Sequence, residues 1–396
     1  MSTQERSENT AAPIVIVGTG LAGYTVAREL RKLDGDVPIV MISRDDGRFY
    51  SKPMLSNALA LKKEPGQLAT SDATAMASQL RARIWTQCAV KQLLPDAHAL
   101  VLDNGQTLRY RALVLAMGAD AKRAPIDGDG AADVLSINDL HDYARFRETL
   151  RTCRSVAILG AGLIGCEFAN DLIATGHRVD IIDPAELPLS RLLPQEAGNV
   201  FRSALEAAGV RLRLGTSVRS IARRERGYRL LLSNAVRFDV DVVLSAIGLA
   251  PRVLLAREAG LAVSDGIATD AWCRTSAPDI YALGDCASID GRVRPYVLPI
   301  MHAARAVAQC LCGTLTRAEF PIMPIVIKTP AIPAVVVTPA ADGLWTTEID
   351  SGDARHVARA RCEDPTTGRM TGFALLDAAT KDKAAWLQAM ASEAQP

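Results

Sequence analysis

Ile14-Val15-Ile16-Val17-Gly18-Thr19-Gly20-Leu21-Ala22-Gly23 and its near-copy Val156-Ala157-Ile158-Leu159-Gly160-Ala161-Gly162-Leu163-Ile164-Gly165 decide the fold of this 396-residue chain. Each is an apolar run of strand type leading directly into G-x-G-x-x-G, with a helical pattern behind it. Glycines at these three places permit a tight turn, close approach of the backbone to a pyrophosphate, and close packing of helix on strand. The pyrophosphate then sits at a helix N-terminus, whose unpaired N–H groups favour an anion. The two motifs begin 142 positions apart (160 − 18), about one domain, so one polypeptide is expected to hold two dinucleotides. The chemical reason to hold two is to pass electrons between them.

Working outward, Ala22, Val26, Leu30 and Leu33 recur at helical spacing, and 38–42 reads as a second strand, completing a βαβ unit. Asn104-Gly105, separating 99–102 from 106–110, marks a hairpin. A further apolar strand at 113–116 ends on Met117-Gly118, and 122–133, with Pro125 and several Gly and Asp residues, reads as a linker. The second βαβ unit has a strand from Ser155, a helix over 163–174 stopped by Gly176, and a strand over 179–182. A helix over 195–208, a strand at 242–248 and a strand-to-turn at 280–285 follow, and from Pro321 onward stretches such as 334–338 suggest a small third domain. The expected class is α/β: two Rossmann-type dinucleotide-binding domains plus a small C-terminal α/β domain. The boundaries read as 1–120 with a return segment 245–318 for the first domain, 121–244 for the second, and 319–396 for the last.

Composition narrows the function classes. Hydrophobic residues make up 49% and charged residues 22%, enough for ordinary buried cores, and the net charge of +1 gives no global argument for nucleic acid. The cysteines Cys88, Cys153, Cys166, Cys273, Cys286, Cys310, Cys312 and Cys362 form neither C-x-x-C nor a pair of pairs, so no metal site is expected. Cys310-x-Cys312 reads as buried thiol on a helix. Residues 1–13 are polar, without the apolar segment of a signal peptide, and no run approaches the ~18 apolar residues of a membrane span. The chain reads as cytoplasmic, with no membrane association.

The ends of the second strands distinguish the two sites. Asp183, 23 residues after Gly160 (183 − 160), suits a carboxylate accepting from both adenosine ribose hydroxyls, and its charge repels a 2′-phosphate. That points to NADH on the loop of Gly160, Gly162, Leu163, Ile164 and Gly165. The matching position of the first unit is Ser43, with Arg44 beside it; a hydroxyl still bonds ribose, but the acidic signature is missing.

Residues 275–285 resemble the Gly-Asp segment of flavoproteins of the glutathione reductase type. In that family the Asp binds the ribityl chain of FAD, which here implies Asp285. Ala116-Met117-Gly118 resembles the family's A-T-G segment near the pyrophosphate, with Met117 in place of Thr; 242–248 with Pro251 resembles the matching segment of the NAD lobe, which brings in Gly248. The resemblance assigns FAD to the first loop, on Gly18, Thr19, Gly20, Leu21, Ala22, Gly23, Ser43 and Arg44. Family members that reduce disulfides or peroxides carry cysteine shortly after the first βαβ unit. Here 45–56 reads Asp-Asp-Gly-Arg-Phe-Tyr-Ser-Lys-Pro-Met-Leu-Ser, so electrons are expected to leave without a thiol relay, one at a time, to a metal centre in a partner. Lys52 and Glu167 match the lysine and glutamate that form an ion pair beside flavin N5 in this family.

Gly18–Tyr24, Arg28–Gly35, Tyr50–Ser56, Gly160–Asp171, Tyr296-Val297-Leu298-Pro299 and Val326-Ile327-Lys328-Thr329-Pro330-Ala331 together resemble the rubredoxin reductases, FAD-dependent NADH:rubredoxin oxidoreductases of hydrocarbon-oxidising bacteria. The resemblance implies FAD contacts from Lys52, Pro53, Val90, Val297 and Lys328. It also implies a single-chain enzyme with a small acidic rubredoxin as partner, a basic docking rim including Lys52 and Lys328, and a place in alkane degradation. A reductase of a [2Fe–2S] ferredoxin or a flavorubredoxin, and a non-enzymatic flavin/NAD redox sensor, remain as alternatives; a membrane-associated NADH dehydrogenase needs an apolar docking surface near the C-terminus, and 381–396, with Ala384, Ala385, Leu387 and Met390, is too short and weak for one.

Overall fold

The computed structural model describes residues 12–350 and 356–393; most of the polar N-terminal stretch, residues 1–11, lies outside the described residues. The chain divides into two compact units. Unit one takes the chain through Ser51, Ala69–Asp120 and Leu249–Pro321; unit two takes Lys52–Leu68, Ala121–Gly248 and the chain from Ile322.

Unit one is built on a parallel five-stranded sheet in the order Ile280–Ala282, Ala112–Leu115, Ile14–Val17, Ile39–Ile42, Arg83–Trp85. Its central strands are buried along their whole length, which is why they are unbroken apolar runs rather than alternating ones. Helix Leu21–Leu33 follows the first strand and packs against helix Val297–Leu311. Ala22, Val26 and Leu30 point into the core, but Leu33 is 46% exposed at the last turn, so the apolar periodicity outlasts the buried face. The hairpin at Asn104-Gly105 joins strands Ala99–Leu102 and Thr107–Arg109. The reading of Cys310 and Cys312 as buried thiol is corrected: the helix ends at Leu311, leaving Cys310 half-buried and Cys312 exposed.

Unit two repeats the arrangement with a parallel sheet in the order Leu135–Ser136, Val242–Ser245, Ser155–Leu159, Arg178–Asp183, Arg211–Leu214. The stretch read as a linker is not loose. Asp127 N donates to Arg219 O, Ile221 N to Asp127 O and Gly130 N to Ile221 O, so this stretch lies along strand Val218–Arg223 of a three-stranded antiparallel sheet. Gly128, at φ +98°, is required there because a Cβ would fall 2.2 Å from Ile221 O.

The C-terminal part of unit two is an antiparallel sheet in the order Ile325–Ile327, Ala334–Val337, Met370–Leu376, Val357–Glu363, Leu344–Asp350, with helix Lys383–Glu393 after it. Its central strands are covered on both faces. Ala334, Val336, Ala358, Ala360, Ala374 and Leu376 share one core with Val156, Phe168 and Phe201 of the Rossmann half. The alternate residues Val335, Val337, Val357, Phe373 and Leu375 pack with Met390 and Trp386 of the last helix. Among the described residues no helix is long and apolar enough to cross a membrane.

A shared core predicts shared damage. Phe201→Ala, at a fully buried ring, should cost about 3–5 kcal/mol. Hydrogen exchange should then rise in Ala334–Val337 as well as in Val242–Ser245; loss of protection confined to the parallel sheet would contradict the common core.

Candidate functional site

In unit one, Gly18 has φ +118° and an added Cβ would lie 2.2 Å from Ala116 O, while at Gly23 it would lie 2.0 Å from Gly18 O. A Cβ at Gly20 meets nothing within 4 Å. The outer glycines therefore let helix, strand and turn close on one another, and the middle one leaves open space above the helix N-terminus. Gly20 is the N-cap of helix Leu21–Leu33, no side chain caps it, and the first turn holds no acid. Its first N–H groups are a ready receptor for a diphosphate.

The other residues assigned to FAD gather around this turn. Ser43 directly follows strand Ile39–Ile42 and is buried; Thr19 Oγ1 donates to Ser43 Oγ at 2.6 Å, and Ser43 Oγ donates to Asp45 Oδ1 at 2.5 Å. Cys88 N donates to Ser43 O at 2.9 Å, which brings Val90, the first residue of strand Val90–Leu94, to the same strand end. Ala116 N donates to Val17 O. Met117 O accepts from Arg252 Nη1 at 2.7 Å, and Arg252 also pairs with Asp120 at 2.6 Å, holding that carboxyl below the usual carboxylate range. Arg252 thus anchors the turn in which Met117 replaces the family's threonine, a role the local motif did not reveal. Arg44 reaches the same Asp120 at 3.4 Å. Asp285 lies in the turn Gly284–Cys286; a Cβ on Gly284 would be 3.1 Å from Ala22 Cβ, so this turn abuts the first turn of the helix. Val297 opens helix Val297–Leu311, whose N-cap Tyr296 supplies no capping side chain.

Unit two repeats the cradle. Gly160 has φ +106° with Ala246 O 2.7 Å from its notional Cβ, Gly165 meets Gly160 O at 2.0 Å, and Gly162 meets nothing within 4 Å. Gly162 is the uncapped N-cap of helix Leu163–Ile173. Leu163 is half-buried and Ile164 is 44% exposed on the first turn. Asp183 ends strand Arg178–Asp183, where Oδ2 accepts from Ala161 N and Oδ1 from Ala185 N, both at 2.7 Å. Gly248, at φ +104°, has open space where a Cβ would stand. Both cradles fit a dinucleotide: each offers uncapped amides, a Cβ-free approach and polar groups at the end of the second strand.

Also in unit two, the resemblance-implied residues Lys52, Pro53, Glu167 and Lys328 come together. Glu167 is 1% exposed; Ser56 Oγ donates to its Oε2 at 2.5 Å and Lys328 N to its Oε1 at 2.9 Å. Ser56 belongs to the turn Lys52–Asn57, and Lys328 Nζ reaches back to donate to Pro53 O at 2.5 Å. Lys52 is exposed and its Nζ donates to Asn138 Oδ1 at 3.2 Å. Two further helix residues, unremarked in the motif reading, extend the grip. Asn170 Oδ1 accepts from Ala331 N at 3.1 Å, and Asp171 accepts from Leu59 N at 3.0 Å and Ala60 N at 2.8 Å. Positions 167, 170 and 171 lie on one helix face, a polar triad in an otherwise apolar helix, and that was the available signal. Burial pushes the Asp171 carboxyl up to about 6, against the two amides that hold it.

The chain is similar to known proteins over nearly its whole length. Residues 12–310 match the family model for pyridine nucleotide-disulphide oxidoreductase, and residues 317–390 match that for the rubredoxin binding C-terminal domain. The chain is 44% identical to the rubredoxin-NAD(+) reductase of Acinetobacter baylyi over 373 residues, 92% of this chain and 94% of that protein. It is 44% identical to the rubredoxin-NAD(+) reductase of Alcanivorax borkumensis over 382 residues, 94% of this chain and 96% of that protein. Among solved structures, the ferredoxin reductase for the CYP199A2 system from Rhodopseudomonas palustris is similar at a TM-score of 0.85 and 25% identity, covering 94% of this chain and 92% of its own.

Two predictions test the polar face. Glu167→Ala strands the buried Ser56 hydroxyl and the Lys328 amide, each costing about 1–3 kcal/mol; denaturation should report the loss, with faster exchange near both partners. Asp171 binds its proton more tightly when folded (about 6) than when unfolded (about 4). Its contribution to stability should therefore fall as pH rises from about 4 to about 6 and stay level above that. Asp171→Asn should remove this slope from the difference between the two stability profiles.

Proposed function

The chain belongs to the pyridine nucleotide-disulphide oxidoreductases, and on that premise we propose that it is an FAD-dependent reductase taking electrons from NADH and handing them singly to rubredoxin. The observation that carries this reading is the double role of helix Leu163–Ile173. Its N-terminus forms the second dinucleotide cradle, and its Glu167 holds Lys328 of the segment matched as rubredoxin binding.

The FAD lobe is assigned to 1–120 with 245–318, the NAD lobe to 121–244 and the docking domain to 319–396. The amides behind Gly20 receive the FAD pyrophosphate and those behind Gly162 that of NADH. Asp285 takes the ribityl chain, while Ala116, Met117, Gly118, Val90 and Val297 line the site chiefly through backbone atoms. Asp183 accepts from the ribose of NADH and repels a 2′-phosphate. Within unit two, Glu167 holds the Lys328 amide and Lys328 Nζ is braced on Pro53 O, next to Lys52 in the same turn, so the two lysines would supply positive charge to a bound anionic group or carrier. When bound, FAD supplies the conversion between a two-electron donor and one-electron acceptors. No cysteine stands in 45–56 to intervene. The two ammonium groups steer a small acidic carrier. The enzyme is placed in the cytoplasm, as a single chain, supplying rubredoxin-linked oxidation of substrates such as alkanes.

Anaerobic titration tests the reading. One equivalent of NADH should bleach the flavin, and oxidised rubredoxin should restore its colour at two per NADH; a bleached flavin that recolours only with a disulfide would overturn the proposal. Asp183→Ala should raise KM for NADH roughly tenfold or more, since hydrogen bonds to a charged group contribute about 1.5–3 kcal/mol. KM for NADPH should rise less, or fall.

A further inference from the structure

The two cradles share a strand-end arrangement that the residues at matching sequence positions do not. In unit two, Asp183 does two things at once: it accepts from Ala161 N, the residue between the first two glycines, and from Ala185 N, two residues further on, which closes the turn after the strand. In unit one the residue between the glycines is Thr19 and the strand-end residue is Ser43, which carries no charge. The turn-closing task passes to Asp45, which meets the glycine loop through the Thr19 side chain and not its backbone N–H. Its Oδ1 accepts from Gly47 N at 2.9 Å, two residues further on, as Asp183 does from Ala185. The same oxygen accepts from Ser43 Oγ at 2.5 Å and lies 3.4 Å from Thr19 Oγ1. Thr19 Oγ1 donates to Ser43 Oγ at 2.6 Å, so a chain of hydroxyl donors ends on this carboxylate. Thr19 and Ser43 are 5% and 4% exposed, whereas Asp45 is exposed and so open to a ligand.

We infer that Asp45, displaced by two residues and acting with Ser43, is the carboxylate that recognises the adenosine ribose of FAD. This rests on the assignment of FAD to the first cradle. A serine hydroxyl donating to a carboxylate is a stronger acceptor than a free one. A ribose hydroxyl laid at the strand end therefore meets either the carboxylate or an oxygen polarised by it. The absence of an acid at position 43 is a relocation of the charge, not its loss.

The test uses the full chain, stripped of flavin and reconstituted with FAD or with the FAD analogue lacking the 2′-hydroxyl of its adenosine ribose. Wild type should bind FAD about tenfold more tightly than the analogue, roughly one charge-assisted hydrogen bond. Asp45→Ala should weaken FAD binding by about the same factor and bind the two flavins alike, a pattern that general loosening of the turn does not produce. The double variant Ser43→Asp/Asp45→Ala, with the carboxylate returned to the strand end, should regain both affinity and discrimination. Asp45→Ala protein that keeps its FAD affinity within twofold, or still discriminates as wild type does, would overturn the inference while leaving the flavin assignment standing. A wild-type chain that takes up no FAD would overturn the assignment itself.

Discussion

A carboxylate 1% exposed to water has to be satisfied by the protein, because desolvating a charge without hydrogen bonds costs more than a fold can spare. Glu167 is satisfied by two groups from distant parts of the chain, the Ser56 hydroxyl and the Lys328 amide. Those two contacts, with Asn170 on Ala331 and Asp171 on Leu59 and Ala60, draw two otherwise separate segments onto one helix. This explains why residues 52–68, which in sequence interrupt the first dinucleotide lobe, fold with unit two. It also explains how the last five-stranded sheet comes to share a hydrophobic core with the Rossmann half. Removing a partner from a buried polar group costs more than the bond contributes net, so each of these contacts is expensive to break.

The glycine turns impose a second constraint, of a different kind. At Gly23 and Gly165 a Cβ would stand 2.0 Å from the carbonyl of the first glycine of the loop, a distance no side chain tolerates. The requirement is local, set by backbone geometry within six residues, and so it is written plainly in the chain. That is why the two Rossmann halves, their parallel sheets and their helix starts are legible from residues alone. The C-terminal strand at 334–337 was legible as a strand for a related reason: burial on both faces makes it continuously apolar. Which body that strand would join was not legible, because nothing in an apolar run names the surface it packs on.

The candidate site was less transparent, and the misses share a cause. Asp171 and Leu59 are 112 residues apart, and Arg252 reaches Met117 across 135. Partnerships at that range leave no periodic trace. The stretch 122–133 read as a linker because Gly, Pro and Asp favour turns, yet its backbone groups bond to the strand at 218–223. Asp45 escaped for a subtler reason. A search for an acid at the end of a strand inspects one position, whereas the side chain has to reach a place in space, and an intervening serine hydroxyl extends that reach by two residues.

The cysteines complete the argument for electrons that leave without sulfur. Cys166 and Cys286 stand beside the two cradles, and each donates its thiol to a strand-end or turn carbonyl: Cys166 to Ala161 O, Cys286 to Leu115 O and Leu283 O. Both are fully buried, and burial pushes both thiols up, Cys286 to about 11. The nucleophile in thiol redox chemistry is the thiolate, so at neutral pH these groups serve as small hydrogen-bond donors that finish the cradles. The two thiols are thus enclosed and held in the form that does not attack.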